Sequence, residues 1–204
     1  TVYIADGSSV FSGSTTGSSV SSFSTIDVDA LDAVKGRLIC GHDNALFEML
    51  SDGTTAEIFD HPNSAWDWVD FAGGNVGIYA AGHDGTKSEI YQSILLDATG
   101  AIQAPGSVAE FPSGELIRSI DFFAGFLVIG TSKGVRIAQS TQSGLLNYGP
   151  LIELGNVYGT AFEGRFAYVT CASLPVFGGP GVVKLDMTRF TAPYTPAYAG
   201  SYPI

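Results

Sequence analysis

The sequence predicts an all-β fold, a β-propeller of four-stranded antiparallel blades, and three observations carry that prediction. A strand, a Gly-centred turn and a second apolar strand recur four times, about 40 to 50 residues apart. In each copy a Gly stands where a two-residue hairpin needs positive φ, four positions after a polar residue. The composition, 26 Gly and 45% hydrophobic residues with only 9 Lys plus Arg in 204 residues, suits strands joined by many tight turns.

Residues 1–25 read as a partial blade. Val2-Tyr3-Ile4-Ala5, a turn through Asp6-Gly7-Ser8-Ser9 and Val10-Phe11-Ser12 supply a second strand and a third strand, without an inner one. The Ser- and Gly-rich stretch 8–24 suits an exposed outer edge. The blade at 26–65 runs from Asp32-Ala33-Val34-Lys35-Gly36 into Leu38-Ile39-Cys40, turns at Gly41-His42-Asp43-Asn44, continues through 45–50 and ends in an outer strand at 55–59.

The blade at 66–114 repeats this order. Asp70-Phe71-Ala72-Gly73-Gly74 leads into Val76-Gly77-Ile78-Tyr79, then the turn Gly82-His83-Asp84-Gly85, a third strand at 89–94 and an outer strand at 108–111. In the blade at 115–155, Asp121-Phe122-Phe123-Ala124-Gly125 precedes the apolar run 126–129, with outer pairing at 148–153. The last unit, 156–204, is a blade with a C-terminal tail. Thr160-Ala161-Phe162-Glu163-Gly164 leads into 166–169, residues 174–181 form a longer loop, and 182–187 give the third strand, with an outer strand near Thr191.

All units belong to one propeller domain, and no segment has convincing amphipathic helical spacing. The missing inner strand leaves two arrangements. Either the C-terminal segment supplies it and closes a five-bladed ring, or the chain is an incomplete ring, a segment of a longer propeller. The second is expected, because Pro193, Pro196 and Pro203 cannot donate to a ladder.

A net charge of −11 argues against nucleic acid and anionic membranes as partners, since both call for a basic surface. No apolar run approaches the roughly 20 residues of a membrane-spanning helix, so no membrane insertion is expected.

Several residue groups are of types that can carry chemistry. The recurring Asp32, Asp70 and Asp121 stand on innermost strands, where carboxylates could gather around a cation, but capping of backbone groups is the expected role. His42-Asp43 and His83-Asp84 lie in turns of different blades without a third ligand in register, so no metal is expected. Ser113 lacks a nucleophile elbow. Asp67, Glu115 and Asp121 would suit an inner-strand glycosidase only if two of them faced each other across a sugar site. Trp66 and Trp68 share one strand face, with Asp67 on the other, and fit packing between blades better than sugar stacking. Cys40 and Cys171 sit in apolar strands as small buried hydrophobes. No catalytic residue and no cofactor is expected. The possible contact surface comprises Leu174, Pro175, Val176 and Phe177 of the long loop together with Trp66 and Trp68.

Two resemblances follow from these strands. The stretches 1–7 and 167–170 are similar to the strand motifs of propellers built from YVTN-type or NHL-type repeats. A second covers about 66–199, through Trp66-Asp67-Trp68-Val69-Asp70, residues 78–82, Gly114-Glu115-Leu116-Ile117-Arg118-Ser119-Ile120, residues 125–138, Tyr148-Gly149-Pro150-Leu151-Ile152, Arg189-Phe190-Thr191 and Thr195-Pro196-Ala197-Tyr198-Ala199. It resembles minor tail proteins of tailed bacteriophages that infect actinobacteria, with Gly130-Thr131-Ser132-Lys133-Gly134-Val135-Arg136 the most specific stretch. The resemblance implies a non-enzymatic structural component of the virion, located in the phage tail. Its expected partners are other tail proteins in a multi-subunit assembly, together with a host cell-surface glycan or protein. A lectin-like carbohydrate-binding propeller is the alternative, recognisable by exposed Trp66, Trp68 or Tyr79, and an inner-strand glycosidase is the second alternative.

Overall fold

The computed structural model describes residues 1–16, 19–94, 100–141, 143 and 145–204. Gly17 and Ser18, within the Ser- and Gly-rich stretch, lie outside the described residues. Among the described residues there are 20 strands and no helix.

The strands form five antiparallel sheets that follow one another along the chain. The first holds β1 (Val2–Ala5), β2 (Val10–Gly13) and β3 (Val20–Ser24). The second holds β4 (Ala30–Val34), β5 (Arg37–His42), β6 (Ala45–Met49) and β7 (Thr55–Asp60), and the third β8 (Asp67–Gly73), β9 (Gly77–His83), β10 (Ser88–Ile94) and β11 (Gly106–Glu110). The fourth holds β12 (Ile117–Phe123), β13 (Phe126–Thr131) and β14 (Gly134–Ser140), with β15 (Leu146–Tyr148) and β16 (Ile152–Glu153) both paired to β14. The fifth holds β17 (Val157–Glu163), β18 (Phe166–Cys171), β19 (Gly181–Ala192) and β20 (Thr195–Pro203).

The sheets stack face to face as propeller blades because their second strands are apolar on both sides. Leu38, Ile78, Leu127 and Ala167 point to the preceding sheet, while Ile39, Tyr79 and Val128 point to the following one. Among the described residues four hydrophobic clusters result, one between each successive pair of sheets. Among the described residues no such cluster joins the fifth sheet to the first, so the ring is open. Cys40 and Cys171 are buried free thiols in different clusters, as their sequence settings implied. Burial pushes the Cys40 thiol up to about 12 and raises that of Cys171.

The inner turns depart in part from the sequence reading. Lys35-Gly36 and Ala124-Gly125 are two-residue turns with both residues at positive φ, between 48° and 90°, the geometry that matches the twist of a hairpin. In the fourth repeat Gly164 (φ 57°) is the first turn residue and not the second. In the third sheet Gly74 does not adopt positive φ, because its hairpin is longer and is closed by a hydrogen bond from Gly74 N to Gly77 O. A side chain there is excluded for another reason, since a Cβ on Gly74 would lie 2.4 Å from the Tyr79 ring.

The outer edges differ as well. Pairing beyond β14 is interrupted at Gly149-Pro150-Leu151, where proline has no N–H to donate. The C-terminal segment is a ladder strand despite Pro196 and Pro203. As the outermost strand, β20 has one unpaired side on which a missing donor costs nothing. It completes its own sheet and leaves β1 without an inner neighbour.

Candidate functional site

The innermost strands β4, β8, β12 and β17 surround a cavity of about 560 Å³ at the ring axis. Its polar lining comes from the recurring positions, Asp32, Asp70, Asp121 and Thr160, with Lys35 at the first inner turn. The sequence register therefore brings these four side chains to one place. Each carboxylate caps its own strand, with Asp32 accepting from Ala33 N at 2.7 Å, Asp70 from Phe71 N at 2.9 Å and Asp121 from Phe122 N at 2.8 Å. Asp70 also accepts from Ile120 N at 2.8 Å and so ties the third sheet to the fourth. Thr160 Oγ1 is buried with no hydrogen-bond partner among the described residues.

Burial governs the titration of the three carboxyls. It raises Asp70 to about 6 against two backbone donors, with smaller contributions from the charges of Asp32 and Asp121. Burial likewise raises Asp32 and Asp121. The three carboxylates do not close to the spacing of a shared metal ion. Among the described residues the one group that does is Asp29, His42 and Asp43. There His42 Nδ1 lies 3.6 Å from Asp29 and Nε2 lies 3.7 Å from Asp43. Asp29 is not reached by the sequence analysis, because only Asp43 stands beside His42 in the sequence. It reaches the turn from 14 residues upstream, also accepting from Asp43 N at 2.8 Å, and no local motif announces it. Both aspartates are exposed, and among the described residues His83-Asp84 has no equivalent cluster.

The proposed glycosidase carboxylates are not brought together. Asp121 lines the axial cavity, whereas Asp67 and Glu115 do not. Glu115 is 2% exposed and makes a two-pronged ion pair with Arg136 at 2.7 and 2.8 Å. This pair, unforeseen because its members are 21 residues apart, is a structural fixture of the fourth sheet.

Of the six contact-surface residues, three require correction. Trp66 and Trp68 are each 1% exposed, in a cluster with His61 and Tyr91 between the second and third sheets. His61 stacks on Trp66 at 4.2 Å, and Trp68 Nε1 donates to Asn44 O at 3.0 Å across the sheet interface. Their large faces are worth more in that core than in water. Tyr79 is also fully buried, so none of the three rings is available to stack on a glycan. Leu174 is the third correction, 2% exposed, because it anchors the long loop in the core between the fourth and fifth sheets. Pro175, Val176 and Phe177 project from that anchor, exposed as expected. The loop closes on itself through Leu174 N to Gly179 O and Gly178 N to Leu174 O.

No family model and no curated protein matches this chain. Its likeness is to solved structures. It is similar to virginiamycin B lyase from Staphylococcus aureus, at 15% identity and a TM-score of 0.64, over 97% of this chain and 64% of that one. It is similar to a protein of unknown function from Desulfotomaculum acetoxidans, at 12% identity and a TM-score of 0.70, over 99% and 65%. It is also similar to the computationally designed Ika8 protein, at 13% identity and a TM-score of 0.59, over 98% and 57%. The chain thus spans less than two thirds of the length of each, and at these identities the likeness establishes the β-propeller fold alone.

Proposed function

We propose that this chain is a non-enzymatic β-propeller module of a bacteriophage virion, part of a minor tail protein that acts through protein–protein contacts and attachment to the host surface. The observation that carries the reading is the loop at 174–181. Its tip holds Val176 and Phe177 at 68% and 64% exposure, on a scaffold kept rigid by stacked sheets. Two large apolar side chains held in water by a closed loop suit a contact surface, and similarity to tail proteins over 66–199 supplies the setting. The acidic surface and net charge of −11 favour solubility outside a cell.

The test is immunogold labelling, with antibody to residues 1–204, of phage particles whose genome encodes the chain. Gold at the tail supports the reading. Unlabelled, intact particles beside free antigen in the lysate would overturn it. At the loop, the double variant Val176→Ser with Phe177→Ser is expected to slow adsorption by about tenfold, the scale of a small hot spot, without lowering Tm.

A further inference from the structure

The turn between β5 and β6 gathers three groups that neither the axial cavity nor the loop at 174–181 uses. His42 ends β5, Asp43 follows it, and Asp29 stands just ahead of β4. Strand pairing fixes Asp29 in place, since its N–H donates to Gly41 O at 2.9 Å and Ala30 stands opposite Gly41. Each residue offers one ligand atom, and the three atoms lie within 4.8 Å of one another.

The spacing is that of ligands and not of hydrogen-bond partners. His42 Nδ1 lies 3.6 Å from Asp29 Oδ2, and His42 Nε2 lies 3.7 Å from Asp43 Oδ2, both too long for a hydrogen bond. Two donors that each sit about 2.1 Å from one tetrahedral ion are roughly 3.4 Å apart, close to either separation. A second observation points the same way. His42 Nδ1 is buried and has no hydrogen-bond partner among the described residues, a condition that buried polar atoms rarely keep without a ligand or water.

The next sheet supplies a comparison within the chain. Trp68 stands opposite Gly82 as Ala30 stands opposite Gly41, so Asp67, His83 and Asp84 are the counterparts of Asp29, His42 and Asp43. There the second carboxylate is engaged by its own loop. Asp84 accepts from Thr86 N at 2.9 Å, from Lys87 N at 2.7 Å and from Asn63 Nδ2 at 3.1 Å. Asp43 instead turns its carboxylate to the imidazole. The same residue types therefore close into a cluster at the first turn and, among the described residues, not at the second.

We propose that Asp29, His42 and Asp43 bind one divalent transition-metal cation of the zinc class. One imidazole with two carboxylates suits zinc and its first-row neighbours, whereas magnesium and calcium favour oxygen donors alone. The imidazole is half-buried and both carboxylates are exposed, which leaves a coordination position open to water. Bound there, the ion ties the segment ahead of β4 to the β5–β6 turn and stabilises the folded chain. A net charge of −11 favours a cation over an anion at this surface. His61, His83, Cys40 and Cys171 are all buried and do not compete for it. The proposal stands on this geometry and not on the virion reading.

The test is calorimetric titration of the untagged chain, freed of metal with a chelator, with zinc chloride at neutral pH. One ion per chain is expected, with a Kd on the order of 10 μM, and about 100 μM zinc is expected to raise Tm by about 4 °C. His42→Gln and Asp29→Asn, the latter still able to accept from Asp43 N, are each expected to weaken binding by about tenfold or more, with little change in the metal-free Tm. Imidazole 15N NMR is expected to show the zinc-dependent shift at His42 and not at His61 or His83. No binding of zinc at about 1 mM, undiminished binding in both variants, or calcium binding as tight as zinc would each overturn the proposal. So would a zinc-dependent shift at His83 in place of His42, since the second turn would then be the site.

Discussion

Asp70 accepts two backbone N–H groups and still titrates near 6, because burial at the ring axis outweighs the donors. The sign of the effect on stability follows. A carboxyl raised from 3.8 to about 6 opposes folding in full above pH 6, progressively less as pH falls, and not at all below 3.8. Asp32 and Asp121 are raised as well and act in the same direction. Asp6, Asp52, Asp84 and Asp186, held low by hydrogen bonds from neighbouring Ser, Thr and Lys residues, contribute stability that is lost only below 3.8. Thermal melts are therefore expected to rise by on the order of 5 °C from pH 7.5 to 4.5, for about 2 kcal/mol, before falling in stronger acid. A flat or falling profile across that window would contradict the axial burial of these groups. The pair Glu115–Arg136 makes a different prediction. Arg136→Ala strands a carboxylate at 2% exposure and is expected to cost about 3–5 kcal/mol in urea unfolding, most of it recovered when Glu115→Leu is added. At this scale the sequence revealed which aspartates share a place and concealed what they meet. Recurrence aligns Asp32, Asp70 and Asp121 because the repeat is local, whereas partners such as Arg136 for Glu115, or Asp29 for His42, arrive across turns whose lengths the repeat does not constrain.

Elements were legible wherever a hairpin is short. The second and third strands of each sheet emerge from alternation and a turn residue, and β5, β9, β13 and β18 lie close to where the apolar runs place them. Outer strands were less so, because they pair on one side only and tolerate the residues that usually end a strand. Thus β20 extends through two prolines and β15 is separated from β16 by Gly149-Pro150-Leu151. Glycine had the same ambiguity. Gly36 and Gly74 look equivalent in the repeat, yet the first provides a left-handed turn and the second makes room for Tyr79. Gly74→Ala is expected to cost about 1–3 kcal/mol as overpacking against a fully buried ring, and Tyr79→Leu in the same chain to relieve most of it. Thermal denaturation of the two single variants and the double variant gives the coupling. Additive losses would mean that backbone conformation, not the ring, demands this glycine.

At the scale of the whole molecule the five sheets form a row, and among the described residues each shares a core only with its neighbours. Stability in such an array is close to a sum of sheet and interface contributions. The first sheet has three strands among the described residues and one face in solvent, so it is expected to open most readily, with native-state hydrogen exchange fastest in β1, β2 and β3 and slowest in β9 and β13. Uniform protection along the chain would instead indicate a single cooperative unit. The order of the cores also governs synthesis. Each cluster joins residues of adjacent sheets, so it is complete once the later sheet has left the ribosome, with no demand on sequence still to be translated. A propeller built this way can fold progressively from its amino-terminal side, burying each newly made sheet against the last without long-range chain closure.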